Sequence, residues 1–380
     1  MASLYIHIPF CERKCVYCDF YSVEDTGLVE EFLAALQGEI SLRADDADGA
    51  VFETVFFGGG TPSLLAPRQL DAVLSSLRAT FAITPDAEVT LEANPGTVTG
   101  ETLRAFRSSG INRLSIGIQS FHDHELSFLG RIHDTLQGFR AVEVARAAGF
   151  DNISIDLICS LPGQTLAHWE ENLRTAVTLA PHHVAAYSLT VADRTPLARM
   201  VRAGEVSVIP TDLAAAMYER AMELLGAHGY EHYEVSNYAL PGFRCRHNCN
   251  YWSHEDYLGF GPSAHSFWKE RDATSGRRWW NVADLSTYQD RLRGGSLAVA
   301  SEEHVGTREM VNERIFLGLR SSGLDLTRLI VDLDYDLAAR QADRVRWLIQ
   351  ERLAGLDGGI LRLTSKGYLL CDEICRRLLP

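Results

Sequence analysis

The chain has 380 residues, of which 46% are apolar, and a formal charge of −14. This length allows a large core and two or three domains, whereas the negative charge opposes general binding of nucleic acid. No apolar run approaches the roughly 18 residues of a membrane span, and the first residues lack the basic and apolar regions of a secretory signal. We therefore expect a cytoplasmic protein that neither spans a membrane nor binds nucleic acid.

Up to about residue 190, short apolar runs alternate with amphipathic stretches. The predicted strands are 4–8, 54–57, 88–92, 113–118, 153–158 and 183–189. The predicted helices between them are 29–43, 68–80, 102–109, 136–148 and 166–179. This alternation indicates a parallel sheet with helices outside it, which is either an open, partial barrel of six strands or a doubly wound sheet.

After residue 195 the pattern changes. A helix predicted at 213–228 precedes a polar, aromatic and histidine-rich stretch that ends at Trp280. The remaining predicted elements are helices at 307–319, 336–353 and 365–379 and a strand at 359–363. We therefore divide the chain into a core barrel (1–240), a linker segment (241–300) and a smaller α-rich C-terminal domain (301–380).

Polar groups follow four successive predicted strands at the point where each strand ends. They comprise the run from Gly58 to Thr61, then Glu92, Gln119 and Asp156. Ligands of parallel sheets bind at the carboxyl ends of the strands. The sequence therefore predicts one ligand site to which all four segments contribute.

Three cysteines, Cys11, Cys15 and Cys18, lie in one tight loop at spacings of four and three. In a cytosolic protein, thiols at this density indicate metal ligands rather than disulfides. Soft thiolates suit zinc or an iron–sulfur cluster, and a four-iron cluster with only three cysteine ligands keeps one iron open. The alternative is a structural zinc site with His7 as the fourth ligand.

The C-x3-C-x2-C spacing resembles the mark of the radical SAM superfamily. Further segments are similar, in order, to the anaerobic coproporphyrinogen oxidase (HemN) group, namely 5–11, 58–62, 92–95, 115–121, 129–133 and 156–162. The resemblance implies an α/β fold, a partial (β/α)6 barrel that holds a [4Fe-4S] cluster on the three cysteines. It also implies that S-adenosylmethionine (SAM) chelates the open iron.

The resemblance further implies a set of SAM-binding residues: Tyr5, Tyr17, Gly58, Gly59, Gly60, Thr61, Glu92, Gln119, Arg131 and Asp156. In this interpretation the glycines admit the ligand backbone, the carboxylates accept from ribose hydroxyls or offset the sulfonium charge, and Arg131 forks onto a carboxylate. The alternative is that two of Glu92, Arg131 and Asp156 form a structural ion pair and the third takes no part in binding.

Two departures from the HemN oxidases resemble the HemW branch of haem chaperones. Phe20 stands where the oxidases carry a further cysteine, and the first cluster ligand is already residue 11. The HemW resemblance implies haem as cargo, client haemoproteins that include those of a respiratory membrane, and no coproporphyrinogen oxidase activity. The alternatives are an oxygen-independent coproporphyrinogen III dehydrogenase and a haem-modifying radical SAM methyltransferase.

The run His247-Asn-Cys-Asn-Tyr251-Trp252 resembles a HemW motif and makes 241–300 a candidate haem-handling segment. Histidine is the commonest axial ligand of haem iron, so His247 is the candidate ligand, with His254 and His265 as nearby alternatives. Tyr251 and Trp252 would pack on the macrocycle.

Two arginines flank the same motif. Arg244 and Arg246 are the candidate partners of the haem propionates. The competing interpretations are a structural role for His247 or a metal site with Cys245 and Cys249. Cys371 and Cys375 share one helix face at i, i+4 spacing and are predicted to be packed thiols.

Overall fold

The computed structural model describes residues 2–47 and 49–380. Six parallel strands lie side by side in chain order, namely β1 (Ala2–Ile8), β2 (Val51–Gly59), β3 (Ala82–Ala93), β4 (Arg113–Gln119), β5 (Ile153–Cys159) and β6 (His183–Ser188). The helices between them are α1 (Val29–Leu42), α2 (Pro67–Thr80), α3 (Gly100–Ser109), α4 (Asp123–Leu129), α5 (Thr135–Ala147) and α6 (Leu166–Thr178). A doubly wound sheet reverses its strand order at a switch point, and this order has no reversal. The partial (β/α)6 barrel is therefore confirmed.

The sheet continues beyond the barrel on both sides. After α7 (Pro196–Arg202) and α8 (Thr211–Ala227), the antiparallel strands β7 (Glu231–His232) and β8 (Asn237–Ala239) extend it next to β6. Next to β1 lie β9 (Asp256–Phe260), β10 (His265–Lys269), β11 (Gly276–Asn281) and β12 (Val299–Val305), with α9 (Arg246–Trp252) and α10 (Leu285–Arg293) packed nearby. Strands β9 to β11 and the start of β12 lie within the segment 241–300, so the predicted linker contributes strands to one twelve-stranded sheet.

A buried carboxylate ties this extension to the barrel. Glu39 of α1 is fully buried and accepts hydrogen bonds from the Tyr288 hydroxyl at 2.7 Å, the Asn281 amide at 2.7 Å and the Gly261 N–H at 2.8 Å. The Arg43 guanidinium donates to the same carboxylate at 3.1 Å. Because a buried charge is tolerated only when it is paired and hydrogen-bonded, this network fixes α10 and β11 against the barrel.

The C-terminal part has a second core of its own. Its helices are α11 (Thr307–Leu319), α12 (Leu326–Leu333), α13 (Leu337–Arg340), α14 (Ala342–Gln350), α15 (Ser365–Tyr368) and α16 (Cys371–Leu378), beside a small sheet of β13 (Leu324–Asp325), β14 (Ala354–Asp357) and β15 (Ile360–Leu363). The helical C-terminal domain is confirmed, although the single helix predicted at 336–353 is two helices that meet at Gln341. Cys371 and Cys375 are buried in this core, as the helix-face pattern predicted.

Candidate functional site

The loop that carries the three cysteines follows β1 directly and is held at both ends by backbone hydrogen bonds. The Cys11 N–H donates to the Val23 carbonyl at 2.9 Å, and the Val23 N–H donates to the Pro9 carbonyl at 2.7 Å. Near its middle, the Val16 N–H donates to the Leu129 carbonyl at 3.3 Å, which joins the loop to the end of α4. The thiols are therefore presented by an anchored loop at the carboxyl end of the sheet.

A cavity of about 540 Å³ opens at this end of the barrel, and all three cysteines line it. Eight predicted SAM residues also line it, namely Tyr17, Gly59, Gly60, Thr61, Glu92, Gln119, Arg131 and Asp156. The two others, Tyr5 and Gly58, lie outside its wall: Tyr5 faces a second cavity, and Gly58 packs between Phe56 and Tyr5. The structure thus brings together most of the site that the strand ends predicted.

The spacing of the thiols discriminates between the two metal interpretations. Four tetrahedral zinc ligands with Zn–S bonds of about 2.3 Å lie roughly 3.8 Å apart. Among the described residues, Cys11, Cys15 and Cys18 do not form a group whose ligand atoms all lie within 4.8 Å of one another. His7, the proposed fourth zinc ligand, instead bonds the Tyr21 carbonyl at 2.8 Å and the Tyr5 hydroxyl at 3.1 Å. Wider sulfur spacing fits a cluster in which each thiolate binds a different iron.

The glycines of the cavity wall are required by the packing of the protein itself. A Cβ on Gly59 would lie 2.6 Å from the His7 ring, and Gly59 has φ = +111°, which disfavours other residues. A Cβ on Gly60 would lie 2.6 Å from the Phe10 carbonyl oxygen. The Gly59 N–H donates to the Glu92 carboxylate at 3.1 Å, so the glycine run also helps to position a cavity carboxylate.

Two carboxyl groups face the cavity with perturbed acidity. Burial and the nearby charge of Asp156 raise the pKa of Glu92 to about 8. Burial likewise raises the pKa of Asp156, although its carboxylate accepts from the Ser115 hydroxyl at 2.9 Å. Neighbouring like charges out of water favour a cationic ligand, because a positive charge between them restores ionisation of both. The ammonium and sulfonium groups of SAM have that charge.

Arg131 reaches the sulfurs rather than the carboxylates. Its guanidinium donates to Cys15 Sγ at 3.6 Å, to the Gly117 carbonyl at 2.8 Å and to the Asn94 side-chain oxygen. The Asn94 amide donates to Thr61 at 3.0 Å, and the Thr61 hydroxyl donates to Cys11 Sγ at 3.6 Å. The proposed ion pair with Glu92 or Asp156 is therefore not the arrangement observed. Asn94 was missed as a site residue, although it stood in one of the motifs.

A second cavity, of about 620 Å³, lies between β1, the strands β9 to β11 and α11. Aromatic and imidazole side chains dominate its wall, namely Tyr5, His7, Tyr21, Tyr251, His254, Tyr257, His265 and Phe267. Arg278 and Glu313 supply charge. Asp19 and Phe20 line this cavity and the thiol-lined cavity alike, and Phe20 is 66% exposed. The residue that distinguishes the chain from the HemN oxidases therefore stands where two cavities meet.

The structure places His247 away from any open surface. It is 1% exposed, on α9, against the amino-terminal halves of β1 and β2. The Thr54 hydroxyl donates its only hydrogen to Ser3 at 2.8 Å, so toward His247 it acts as an acceptor. The Nδ1–H of His247 therefore donates to Thr54 at 2.7 Å, and its Nε2 accepts from the Tyr251 hydroxyl at 2.9 Å. Both ring nitrogens are thus engaged, which is the structural role left open by the sequence.

The remaining candidates of this motif are dispersed. Arg244 pairs with Glu231 at 2.9 Å and Arg246 pairs with Glu53 at 2.7 Å, and neither lines the second cavity. Trp252 is outside its wall as well, whereas Tyr251 lies in it. Cys245 approaches Glu88 at 3.5 Å, and no metal group that includes Cys245, Cys249 and His247 occurs among the described residues. Pairing of the two arginines with haem propionates stays a prediction without support from their contacts.

One charged residue in the barrel interior was not anticipated. Arg113, at the start of β4, is 2% exposed, and although burial opposes it, the nearby carboxylates of Glu88 and Asp156 raise the pKa of its guanidinium. The sequence signal that could have identified Arg113 is a charged residue at the start of a largely apolar strand. Arg113 supplies the positive charge beneath the carboxylates of the cavity.

Comparison with known proteins agrees with this geometry. Residues 5–176 match the Radical SAM superfamily, and residues 307–370 match the HemN C-terminal domain. The solved HemN coproporphyrinogen III oxidase of Escherichia coli is similar in fold, with a TM-score of 0.84 at 23% identity over 100% of this chain and 90% of that one. None of the described helices combines the length and hydrophobicity needed to cross a bilayer.

Curated relatives cover almost the whole chain. The "Heme chaperone HemW" of Bacillus subtilis is 36% identical over 98% of both chains, and that of Mycobacterium tuberculosis is 37% identical over 99% of this chain and 94% of its own. The mouse "Radical S-adenosyl methionine domain-containing protein 1, mitochondrial" is 39% identical over 100% of this chain and 87% of its own. Membership of this superfamily implies a [4Fe-4S] cluster and SAM. The chain belongs to the HemW family within the radical SAM superfamily.

Proposed function

We propose that this protein is a haem chaperone that carries a [4Fe-4S] cluster with SAM and delivers haem to client haemoproteins. The observation that carries the proposal is the contact between two cavities of different chemistry. One is lined by three thiols, glycines and carboxylates, and the other by aromatic rings and imidazoles, with Asp19 and Phe20 in both walls. The names of the relatives, heme chaperones, point to the same cargo.

The thiol-lined cavity fits the cofactors that the family implies. Cys11, Cys15 and Cys18 would hold the cluster, with SAM between the glycine run and the carboxylates. When bound, the reduced cluster and SAM supply radical chemistry that the protein side chains cannot perform. Arg131 and Thr61 donate hydrogen bonds to the Sγ atoms of Cys15 and Cys11, two of the three proposed cluster ligands. Glu92 and Asp156 offer negative charge to the cationic cofactor.

The second cavity is the proposed haem site. Its volume lies within the range of about 300–1,000 Å³ that ligand pockets span. Of the imidazoles in its wall, His7 and His254 have partners, and His254 pairs with Glu313 at 2.8 Å. His265 is exposed, stacks on Trp280 and has no hydrogen-bond partner for its ring nitrogens among the described residues. It is therefore the proposed axial ligand.

Electrostatics favour His265 in that role. Haem iron binds the neutral imidazole, and partial desolvation of the ring against the cavity wall together with the positive charge of Arg278 lowers the pKa of His265. The same Arg278 lies in the cavity wall, where it donates to Glu303 at 2.7 Å and to Glu313 at 2.5 Å. A propionate of the cargo that displaces one of these glutamates can pair with its guanidinium, a role predicted for Arg244 and Arg246.

Haem titration tests the proposal. Anaerobically cluster-reconstituted protein is titrated with hemin, and we expect a Soret shift at micromolar haem that weakens at least tenfold in His265→Ala. His304→Ala, at a side chain that is 66% exposed in β12, is the matched control. Transfer of the bound haem to an apo-haemoprotein acceptor then tests delivery. The absence of a Soret shift in the wild type would overturn the proposal.

The second candidate is the oxygen-independent coproporphyrinogen III dehydrogenase. The shared wall of the cavities favours it, because a macrocycle in the second cavity would lie next to the cluster and SAM. Anaerobic incubation with coproporphyrinogen III, SAM and a reductant separates the two functions. Formation of protoporphyrinogen would support the dehydrogenase, and we expect none.

A further inference from the structure

A group of imidazoles around one buried carboxylate lies outside both cavities. It consists of His124 and Glu125 at the start of α4 and His168 at the start of α6. Each of the three side chains offers one ligand atom, and these atoms all lie within 4.8 Å of one another. In the described part of the chain, no other three His, Cys, Asp or Glu side chains lie this close together. None of the three residues takes part in the cluster or haem sites proposed above.

Glu125 is built into the fold but keeps one oxygen free. The side chain is 3% exposed, and its Oε2 accepts from the hydroxyl of Ser120 at 2.5 Å and from the amides of Gln164 and Asn172, each at 3.1 Å. Its Oε1 is buried and, among the described residues, meets no hydrogen-bond donor. It lies 4.0 Å from Nδ1 of His168, a buried ring nitrogen that also has no hydrogen-bond partner there. Buried polar atoms without partners are rare in native proteins and call for an explanation.

We propose that His124, Glu125 and His168 bind one zinc ion. Two imidazoles and one carboxylate form a donor set that zinc accepts, at about 2.0–2.2 Å from each ligand. Ligands of a tetrahedral ion at that distance lie roughly 3.4 Å apart, so small side-chain rotations bring these atoms into position. A water molecule completes the coordination. The three donors on Oε2 of Glu125 are the outer hydrogen bonds that orient a ligating carboxylate.

The local charge balance favours a cation here, although the site lies at the amino-terminal ends of two helices. The first turns of α4 and α6 carry positive helix-dipole charge, which opposes a cation by itself. The Glu125 carboxylate offsets that effect, and Glu171 approaches the neighbouring His122 at 3.8 Å. The rings of His122 and His168 lie 4.9 Å apart, but Nε2 of His122 is engaged with the His168 carbonyl oxygen at 3.2 Å, so His122 packs beside the site and is not among its ligands.

Bound zinc would join α4 to α6. Helix α4 lies between Gln119 and Arg131, two residues of the thiol-lined cavity, and its end contacts the cysteine loop through Leu129. The ion would therefore brace the segment that carries these residues. This role is independent of haem binding, so its test and the haem titration can fail separately.

Zinc content per chain is the test. Untagged, cluster-reconstituted protein is incubated with zinc, desalted and analysed for zinc and iron by mass spectrometry, so that iron reports occupancy of the cysteines. We expect one zinc more in the wild type than in the His124→Ala, His168→Ala double variant, and an increase of several degrees in Tm with zinc in the wild type alone. His304→Ala, which removes an exposed imidazole elsewhere, is expected to behave as the wild type.

A single charge change sharpens the result. Glu125→Gln keeps the shape of the side chain but removes the charge of a ligand, and we expect zinc affinity to fall by at least the roughly 10- to 100-fold that loss of an outer partner alone costs. The circular dichroism spectrum and the Tm without zinc show whether each variant is folded, since His124 and His168 are not core residues. Equal zinc content in the wild type and in the folded double variant would overturn the proposal.

Discussion

Replacement of His247 by alanine separates a structural imidazole from a haem ligand. The substitution removes the hydrogen bonds to Thr54 and Tyr251, at 2.7 and 2.9 Å, each with a net value of about 1 kcal/mol. It also removes a ring that stacks on Phe56 at 5.0 Å and meets Tyr251 edge-on at 4.8 Å. Loss of a buried side chain of this size costs about 2–5 kcal/mol. Because water can enter a polar cavity, we expect a destabilisation of about 3–4 kcal/mol.

Urea unfolding of the cluster-free protein, followed by circular dichroism, measures this loss. The midpoint is expected to fall while the slope stays unchanged, because the surface exposed on unfolding is nearly the same. His304→Ala is the matched control, with an expected change within about 0.5 kcal/mol, because its ring is exposed. His247→Gln is the milder variant, since an amide can keep part of the contact with Thr54 or Tyr251.

Haem titration of the same variants completes the argument. If His247 acts only through its contacts in the barrel, His247→Gln keeps haem affinity within about threefold of the wild type, whereas His265→Ala loses at least tenfold. A His247 variant that keeps its full stability but loses the Soret band would refute the reasoning. That outcome would restore His247 as the axial ligand and would require α9 to rearrange on haem binding.

Three further predictions follow from the packing and acidity of the site. Gly59→Ala is expected to lower the iron content after reconstitution by more than half, because the new Cβ would lie 2.6 Å from the His7 ring and the backbone has φ = +111°. A normal iron content in this variant would show that the loop tolerates the added methyl group. Burial raises the pKa of Glu92 to about 8, above its unfolded value, so the cofactor-free wild type loses stability as the pH rises from 4.5 to 8. In urea unfolding, the free energy of unfolding of Glu92→Gln is expected to rise relative to that of the wild type between pH 5 and pH 8. A difference between the two proteins that does not change with pH would refute this pKa. Burial lowers the pKa of several histidines, among them His7, His133 and His232, each to about 4, and His247, to about 3. The stabilisation that these four contribute is complete above pH 6.5 and is lost as the pH falls, by about 1.4 kcal/mol each at pH 5.5. Because Glu92 acts in the opposite direction over this range, the Glu92→Gln variant is used, and an unfolding midpoint equal at pH 5.5 and 7 in that variant would exclude buried neutral histidines.

The barrel was predictable because its signals are local. Each of the six strands is a short, largely apolar run, four of them are followed by or end in glycine or polar residues, and the predicted strand positions overlap the observed ones throughout. The residues at the strand ends meet because parallel strands finish at one edge, so Glu92, Gln119 and Asp156 could be assigned to one site without coordinates. The cysteine loop needed only its spacing.

The extension and the His247 motif were not predictable in the same way. Strands β9 to β12 are short, interrupted by Gly261 and Pro262, and rich in tryptophan, arginine and histidine, so no period of two stands out. The fate of His247 depends on Thr54, which is 193 positions away in the chain. A motif shows which residue types recur together, but only tertiary contacts show whether an imidazole is open to a ligand.

The arrangement of His247 still connects the motif to the proposed haem site. Thr54 holds the Nδ1–H of His247, the Nε2 of His247 holds the Tyr251 hydroxyl, and Tyr251 forms part of the second cavity wall beside Tyr257. The imidazole is therefore a positioning residue that orients an aromatic ring in the wall of the proposed haem cavity. On this view the spacing of four between His247 and Tyr251 is a helical contact on α9, and the motif couples the barrel interior to the cavity that shares Phe20 with the thiol-lined one.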